Sequence, residues 1–280
     1  MTLIVLFTLI TLAFAGWRVG RRLRYFLHIF QLEGYNISEF GTWVVDRFDR
    51  VGFRLSHKLA LVELVVVSVG SLLVSPYWTS VIALPLWAAT FASSRLYRSE
   101  RPKKPLKLTP RMKRLSAVAA FLATLPVIAG ILLWATGGLE YVFLFLFGFF
   151  LADLMAPFWV MAAAYLTIPV EKSIQEGFKR RARRTLALRR DLQVIGITGS
   201  YGKTSTKFII AEILRQRYSV LATPSSYNTP MGICLVVNNM LKPEHQVLIL
   251  EMGIRHPGDM RELCGIARPD LAVVTSVGVA

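Results

Sequence analysis

The sequence predicts an α-helical membrane bundle followed by an α/β P-loop-type domain with a mostly parallel, incomplete sheet. Three observations carry this. The 280 residues are 54% hydrophobic, with a mean hydropathy of +0.49, too apolar for an ordinary soluble chain. Lys and Arg, whose excess gives a formal net charge of +16, gather in blocks separated by long runs that hold neither. After Asp191 the pattern changes to short β-branched runs alternating with helical stretches, the signature of a parallel sheet.

The basic blocks hold eight Lys and Arg in residues 18–58, nine in 94–114 and eight in 167–191. Between them, runs 2–17, 59–93 and 115–166 parse into five candidate spans: Thr2–Trp17, Leu59–Ser75, Tyr77–Ala92, Leu115–Thr136 and Tyr141–Leu166. A spanning helix needs about 20 apolar residues. The first three are short by that measure, and the second and third, parted by Ser75-Pro76, also suit a shallow re-entrant pair. Five crossings would place every basic block on one face, as the positive-inside rule requires. The expectation is a multi-pass protein of the cell (inner) membrane, with its N-terminus outside and everything after Leu166 in the cytoplasm. The domains expected are 1–170 (membrane), 171–191 (basic linker) and 192–280.

Ala13-Phe14-Ala15 fits a signal-peptide cleavage site. However, Met1-Thr2 carries no positive charge and the arginines follow the apolar run, the order of a retained anchor. The basic blocks are expected to fix orientation and to touch anionic headgroups, at about 1 kcal/mol per charge. Within the first block, "RRLRYFLHIFQLEGY" suits a helix lying in the interface. Because each block abuts a span, no nucleic-acid partner is expected; the lipid bilayer is. Asp153 and Glu63 lie in or near the spans, either as functional groups at membrane depth or as a mutual pair, with Glu63 also able to reach the interface. The two cysteines, Cys234 and Cys264, read as reduced core thiols, and the four histidines form no ligand cluster.

In the second half, 193–198, 219–223, 246–253 and 271–277 read as strands, with helices at 203–217 and about 257–267. Val194–Phe208, "VIGITGSYGKTSTKF", therefore runs strand, glycine turn, helix. Such a turn aims backbone N–H groups at an anion, and Gly199 and Gly202 let it curl closely round a phosphate. The nucleotide-binding stretch is Gly199, Ser200, Tyr201, Gly202, Lys203, Thr204 and Ser205. Lys203 would reach the β- and γ-phosphates of ATP, and the Thr204 hydroxyl would ligate Mg²⁺. Strict Walker A spacing asks for glycine at 197, which is Ile197; the loop is the shorter T-G-x-x-G-K-T-S.

That loop resembles the one in the Mur ligase superfamily. "SSYNTPMGI" (225–233) resembles the family's asparagine segment, with Asn228 and Gly232 in matching places. "LILEMGIRHPGDMREL" (248–263) resembles its strand-end glutamate segment, and "RPDLAVVTSVGVA" (268–280) a later strand of its ATPase domain. The resemblance implies an ATP-dependent ligase that forms an amide through an acyl phosphate. Its substrates would be a cell-wall (peptidoglycan) precursor, UDP- or lipid-linked, and an amino acid or D-alanyl-D-alanine. It implies a catalytic pair, Lys203 and Glu251, with Glu251 and Thr204 on Mg²⁺ and Asn228 near the γ-phosphate or the metal.

Three departures stand out. Membrane spans occupy the place of the family's N-terminal sugar-nucleotide domain. Ser276 stands where many relatives have Asn. The chain stops at Ala280, where relatives place a histidine, so these residues are expected to be the N-terminal part of a longer protein and inactive alone. A nucleotide-binding membrane scaffold or sensor is the alternative, and an energised transporter finds little support.

Overall fold

The computed structural model describes residues 2–92, 105–224, 227–254 and 256–278. Residues 94–104 of the second basic block, Ser225 and Ser226 of the asparagine segment, and the last two residues lie outside that description. The chain divides into two compact units, Met1–Ile168 and Pro169–Ala280.

The first unit is helical: α1 (Thr2–Leu32), α2 (Ile37–Asp46), α3 (Leu55–Leu73), α4 (Pro76–Trp87), α5 (Pro110–Gly137), α6 (Val142–Leu154) and the start of α7 (Ala156–Ala187). Its termini follow local chemistry. The Asn36 side chain accepts from Ser38 and Glu39 N–H at the start of α2, and Thr109 caps α5 ahead of Pro110. Among the described residues three helices, α1, α3 and α5, are long and apolar enough to cross a membrane; a fourth span results if α6 and α7, bent by 67°, count as one. The expected third span is the 12-residue α4 with a π-helical extension, Ala88–Ala92. The bend falls at Met155, ahead of Pro157, which has no N–H to continue the α6 ladder.

Helices α5 and α6 pack backbone to backbone at two glycines. A Cβ at Gly130 would lie 2.5 Å from Leu144 O, and one at Gly148 the same distance from Pro126 O. Small residues at such a seam let the two backbones approach to van der Waals contact.

The interior overturns three expectations. Arg18 and Arg22, expected to face headgroups, are fully buried, on a continuous α1 that also buries Phe26 and Phe30, expected on an interfacial helix. Asp153 does not pair with Glu63. Its Oδ2 accepts from Arg18 Nη2 (3.0 Å), lies 2.9 Å from His57 Nε2 and sits 3.6 Å from Arg22 Nη1. Arg18 also donates to Phe91 O and Ser56 Oγ, and Arg22 to Gly52 O. Glu63 instead accepts from Thr90 Oγ1 at 2.6 Å. The physical reason is helical spacing: residues 18 and 22 are one turn apart and share the face that α1 turns to the core.

The second unit is a parallel α/β layer. Strands β1 (Gln193–Thr198), β2 (Val220–Ala222), β3 (Val247–Glu251) and β4 (Leu271–Val274) form one sheet in the order β2-β3-β1-β4, every pairing parallel. The central strands β1 and β3 are continuous apolar runs, as burial on both faces demands. One face packs on α9 (Pro230–Asn239) and α10 (Asp259–Ile266), through Ile233, Val236, Val237 and Leu263. The other packs on α8 (Lys203–Arg215), through Ala211, Ile210 and Leu214. Residues 171–187, expected as a linker, are helical. Here α7 is bonded to its own unit by Lys179 to Glu262 (2.5 Å) and Arg183 Nε to Gly265 O (2.8 Å).

Candidate functional site

The order β2-β3-β1-β4 sets the carboxyl ends of β1 and β3 side by side, with Ile197 in register with Glu251. In parallel α/β sheets this edge is where ligands bind. The turn after β1 lies on one side of it and the carboxylate ending β3 on the other.

The turn depends on its glycines. Gly199 has φ 139° and Gly202 φ 80°, conformations that side chains rarely adopt, and a Cβ at Gly199 would overlap Thr275 Oγ1. The segment after β4 clamps the turn from outside. Thr275 Oγ1 donates to Tyr201 O (2.6 Å) and Thr198 O (3.1 Å), and Ser200 N donates to Ser276 O (2.8 Å). The Ser200 hydroxyl exchanges bonds with Gly278, so Ser200 is spent on the clamp. Tyr201 is exposed, bridged to Ser276. Gly202 caps α8, whose first turn holds Lys203, Thr204 and Ser205, with Thr204 and Ser205 exposed. Lys203 Nζ donates back to Gly199 O (2.5 Å) and Ser200 O (3.1 Å), within the turn it is expected to serve.

Glu251 is the convergence point. Its Oε2 accepts from Thr204 Oγ1 (3.0 Å) and Lys207 Nζ (2.9 Å), its Oε1 accepts from Asn228 Nδ2 (3.3 Å), and its N–H is held by Thr223 Oγ1 (3.1 Å). Burial pushes this carboxyl up, but the Lys207 ammonium and the Thr204 and Asn228 bonds hold it below the usual carboxylate range. Asn228 is itself locked: its carbonyl accepts from Gly253 N (2.9 Å), and a Cβ at Gly253 would press on its side chain. Gly232 packs on the Tyr227 backbone as α9 starts at Thr229 and Pro230.

Three of the expected residues therefore meet, Thr204 and Asn228 on the Glu251 carboxylate, while Lys203 is bonded within the turn. His256 stands apart; its N–H is held by Asp259 Oδ2 as α10 begins. Sequence reading missed Lys207, fully buried on α8, and the clamp threonine Thr275. Lys207 was findable, because residues 203 and 207 lie one turn apart on the same helix face.

The oxygens fit magnesium. Mg²⁺ keeps several waters and phosphate oxygens and takes one or two protein oxygens. Thr204 Oγ1 and Glu251 Oε2, 3.0 Å apart at the mouth of the turn, supply two. Among the described residues no group of three or more His, Cys, Asp or Glu forms another metal cluster.

Residues 197–280 match the family model of the Mur ligase middle domain. The UDP-N-acetylmuramoyl-tripeptide–D-alanyl-D-alanine ligase of Synechocystis sp. is 39% identical over 89 residues, 32% of this chain and 19% of that protein. The Mycobacterium leprae ligase of the same name is 44% identical over 89 residues, 32% and 17% of the two chains. A crystal structure of MurF from Acinetobacter baumannii aligns at 28% identity and a TM-score of 0.37, over 38% of this chain and 23% of that one. The chain spans less than a fifth of the length of the two curated relatives.

Proposed function

We propose that this chain carries the nucleotide-binding part of a membrane-anchored, ATP-dependent carboxylate–amine ligase of the Mur type. The precursor would be a peptidoglycan intermediate, and the amine an amino acid or D-alanyl-D-alanine. The observation that carries the reading is the meeting of Thr204, Lys207 and Asn228 on Glu251, beside a glycine turn ending in Lys203. The family match over 197–280 supports the same assignment.

On this reading the Lys203 ammonium leaves the carbonyls of Gly199 and Ser200 for the phosphate oxygens of ATP. Backbone N–H groups at the start of α8 point the same way. Thr204 and Glu251 would hold Mg²⁺, which when bound neutralises charge on the phosphoryl group in transfer. Lys207 and Asn228 fix the Glu251 carboxylate so that it does not reorient on binding. The γ-phosphoryl passes to the precursor carboxylate, giving an acyl phosphate, and the amine displaces phosphate to close the amide.

The anchoring part of the proposal is a multi-pass helical unit in the cell (inner) membrane with the α/β unit in the cytoplasm. It is supported by the length and apolar composition of α1, α3 and α5 and by the grouping of Lys and Arg between apolar runs. Such an anchor would bring the ligase to a lipid-linked precursor or to the machinery that makes one.

The test uses membranes containing the product of the full reading frame, given ATP, Mg²⁺, UDP-N-acetylmuramoyl-tripeptide and labelled D-alanyl-D-alanine, beside Lys203→Ala. Label in a pentapeptide that depends on Lys203 is the expected result. ATP binding that depends on Lys203 without incorporation would discard this substrate pair and favour the scaffold or sensor reading. No ATP binding would overturn the site.

A further inference from the structure

Helix α1 divides its arginines between two sides. Arg18 and Arg22 point into the core, spent on Asp153 and backbone carbonyls. Arg21 and Arg24 are exposed on another side and, with His28, line a groove of about 610 Å³. Trp17 and Tyr25 stand beside them, and the Arg21 guanidinium stacks 4.7 Å over the Trp17 ring. The opposite wall is Pro105 and Leu106, in an extended segment that Gln31 pins to α1. Lys107 N donates to Gln31 Oε1 and Gln31 Nε2 to Lys107 O, both at 2.9 Å. Among the described residues no acidic side chain lines the groove.

We propose that this groove binds the terminal phosphate of an anionic lipid. The first reason is charge and shape. Two guanidiniums one turn apart can each present a planar fork to phosphate oxygens, and their two charges match a dianionic phosphomonoester better than a singly charged phosphodiester.

The second reason is continuity along one stripe of α1. Ile10, Phe14, Trp17, Arg21, Arg24 and His28 follow at alternating steps of four and three, so they share one face. That face is apolar up to Trp17 and basic beyond it, and Phe14 is 52% exposed. A molecule with a hydrocarbon tail and a phosphate head matches that change of character; free phosphate or an acidic peptide uses only half of it. Trp17 at the change-over is the residue type that sits at headgroup level. The inference rests on the membrane reading of this unit and is independent of the ligase reading.

The experiment takes the full chain in zwitterionic detergent and measures retained lipid by native mass spectrometry. Phosphatidic acid, phosphatidylglycerol and inorganic phosphate are offered in separate arms. Phosphatidic acid is expected to be retained about tenfold more strongly than phosphatidylglycerol, and Arg21→Gln with Arg24→Gln to lower its retention about tenfold. Arg47→Gln, at an exposed arginine stacked on Trp43 outside the groove, should change neither. Arg21→Lys with Arg24→Lys keeps both charges and should keep the preference for the monoester while lowering retention of both lipids, because the planar forks are gone.

Equal retention by the glutamine pair and the wild type overturns the proposal, as does a loss in Arg47→Gln of the same size. Phosphate binding through Arg21 and Arg24 without lipid retention overturns the lipid as occupant. Alkaline carbonate extraction separates the two readings: release of the chain from membranes refutes the anchor, whereas a chain that stays but fails the lipid arms refutes the groove alone.

Discussion

Replacing Lys207 by methionine removes a buried charge at nearly constant side-chain length. Lys207 Nζ lies 2.9 Å from Glu251 Oε2 and both side chains are buried. At that separation an effective dielectric constant of about 20 gives an attraction of about 6 kcal/mol, part of it offset by taking both ions out of water. Removing one partner strands the other, at about 3–5 kcal/mol. Thr204 and Asn228 still donate to the carboxylate, so the lower end, about 3 kcal/mol, is expected.

Fluorescence cannot follow this loss. All six tryptophans precede Pro169, outside the unit concerned. Hydrogen exchange of β1 and β3 peptides reads it directly as an opening free energy. At about 1.4 kcal/mol per decade, exchange should quicken by about a hundredfold. Adding Glu251→Gln removes the stranded charge, and the double variant should regain at least half of the loss. Acceleration below about fivefold in Lys207→Met, or a double variant as unstable as the sum of its singles, would refute the reasoning.

Three other outcomes follow from the geometry. Gly199→Ala forces a Cβ onto Thr275 Oγ1 at φ 139°, a strain of about 1–3 kcal/mol, and should weaken retention of an ATP analogue about tenfold or more in equilibrium binding. Asp153→Asn leaves Arg18 and Arg22 without their counter-charge inside the helical unit, at about 3–5 kcal/mol. Tryptophan fluorescence does report on this unit, and its thermal midpoint in detergent should fall by about 10 °C. Glu251 is held below its ordinary pKa of 4.5, so the unfolded chain binds more protons than the folded one as acid is added. Its contribution to stability is present in full above that ordinary value and lost as pH falls through the lowered one. The protection of β3 amides, relative to their intrinsic exchange rate at each pH, should fall below about pH 4.5, and less steeply in Glu251→Gln.

The parts of this structure legible in the sequence are those fixed by neighbouring residues. β1 and β3 fall within a residue or two of their expected bounds, because continuous β-branched runs bounded by turns have few alternatives. The turn at Gly199–Gly202 was legible for the same reason. Helix α9 was not, since Ile233, Val236 and Val237 favour strands; the signal that outweighs them is Thr229 capping ahead of Pro230.

Long-range partners are where sequence reading failed. Glu251 was expected at a strand end, but not that Lys207, 44 positions away, would neutralise it. Arg18 and Arg22 were counted by composition among residues facing lipid headgroups. Their four-residue spacing, on the face that also carries Ala15, Val19 and Phe26, records their burial better than their charge does.

The glycine seam between α5 and α6 constrains how this protein can diverge. Gly130 meets Leu144 and Phe145 on the other helix, and Gly148 meets Pro126 and Val127, so each helix is keyed into the other about a turn apart. A residue inserted into α6 between Leu144 and Gly148 would swing that glycine about 100° from its notch. Length changes in this hairpin therefore belong in its connecting turn, Gly138–Tyr141, while α6 itself tolerates substitution away from the seam and no change of length.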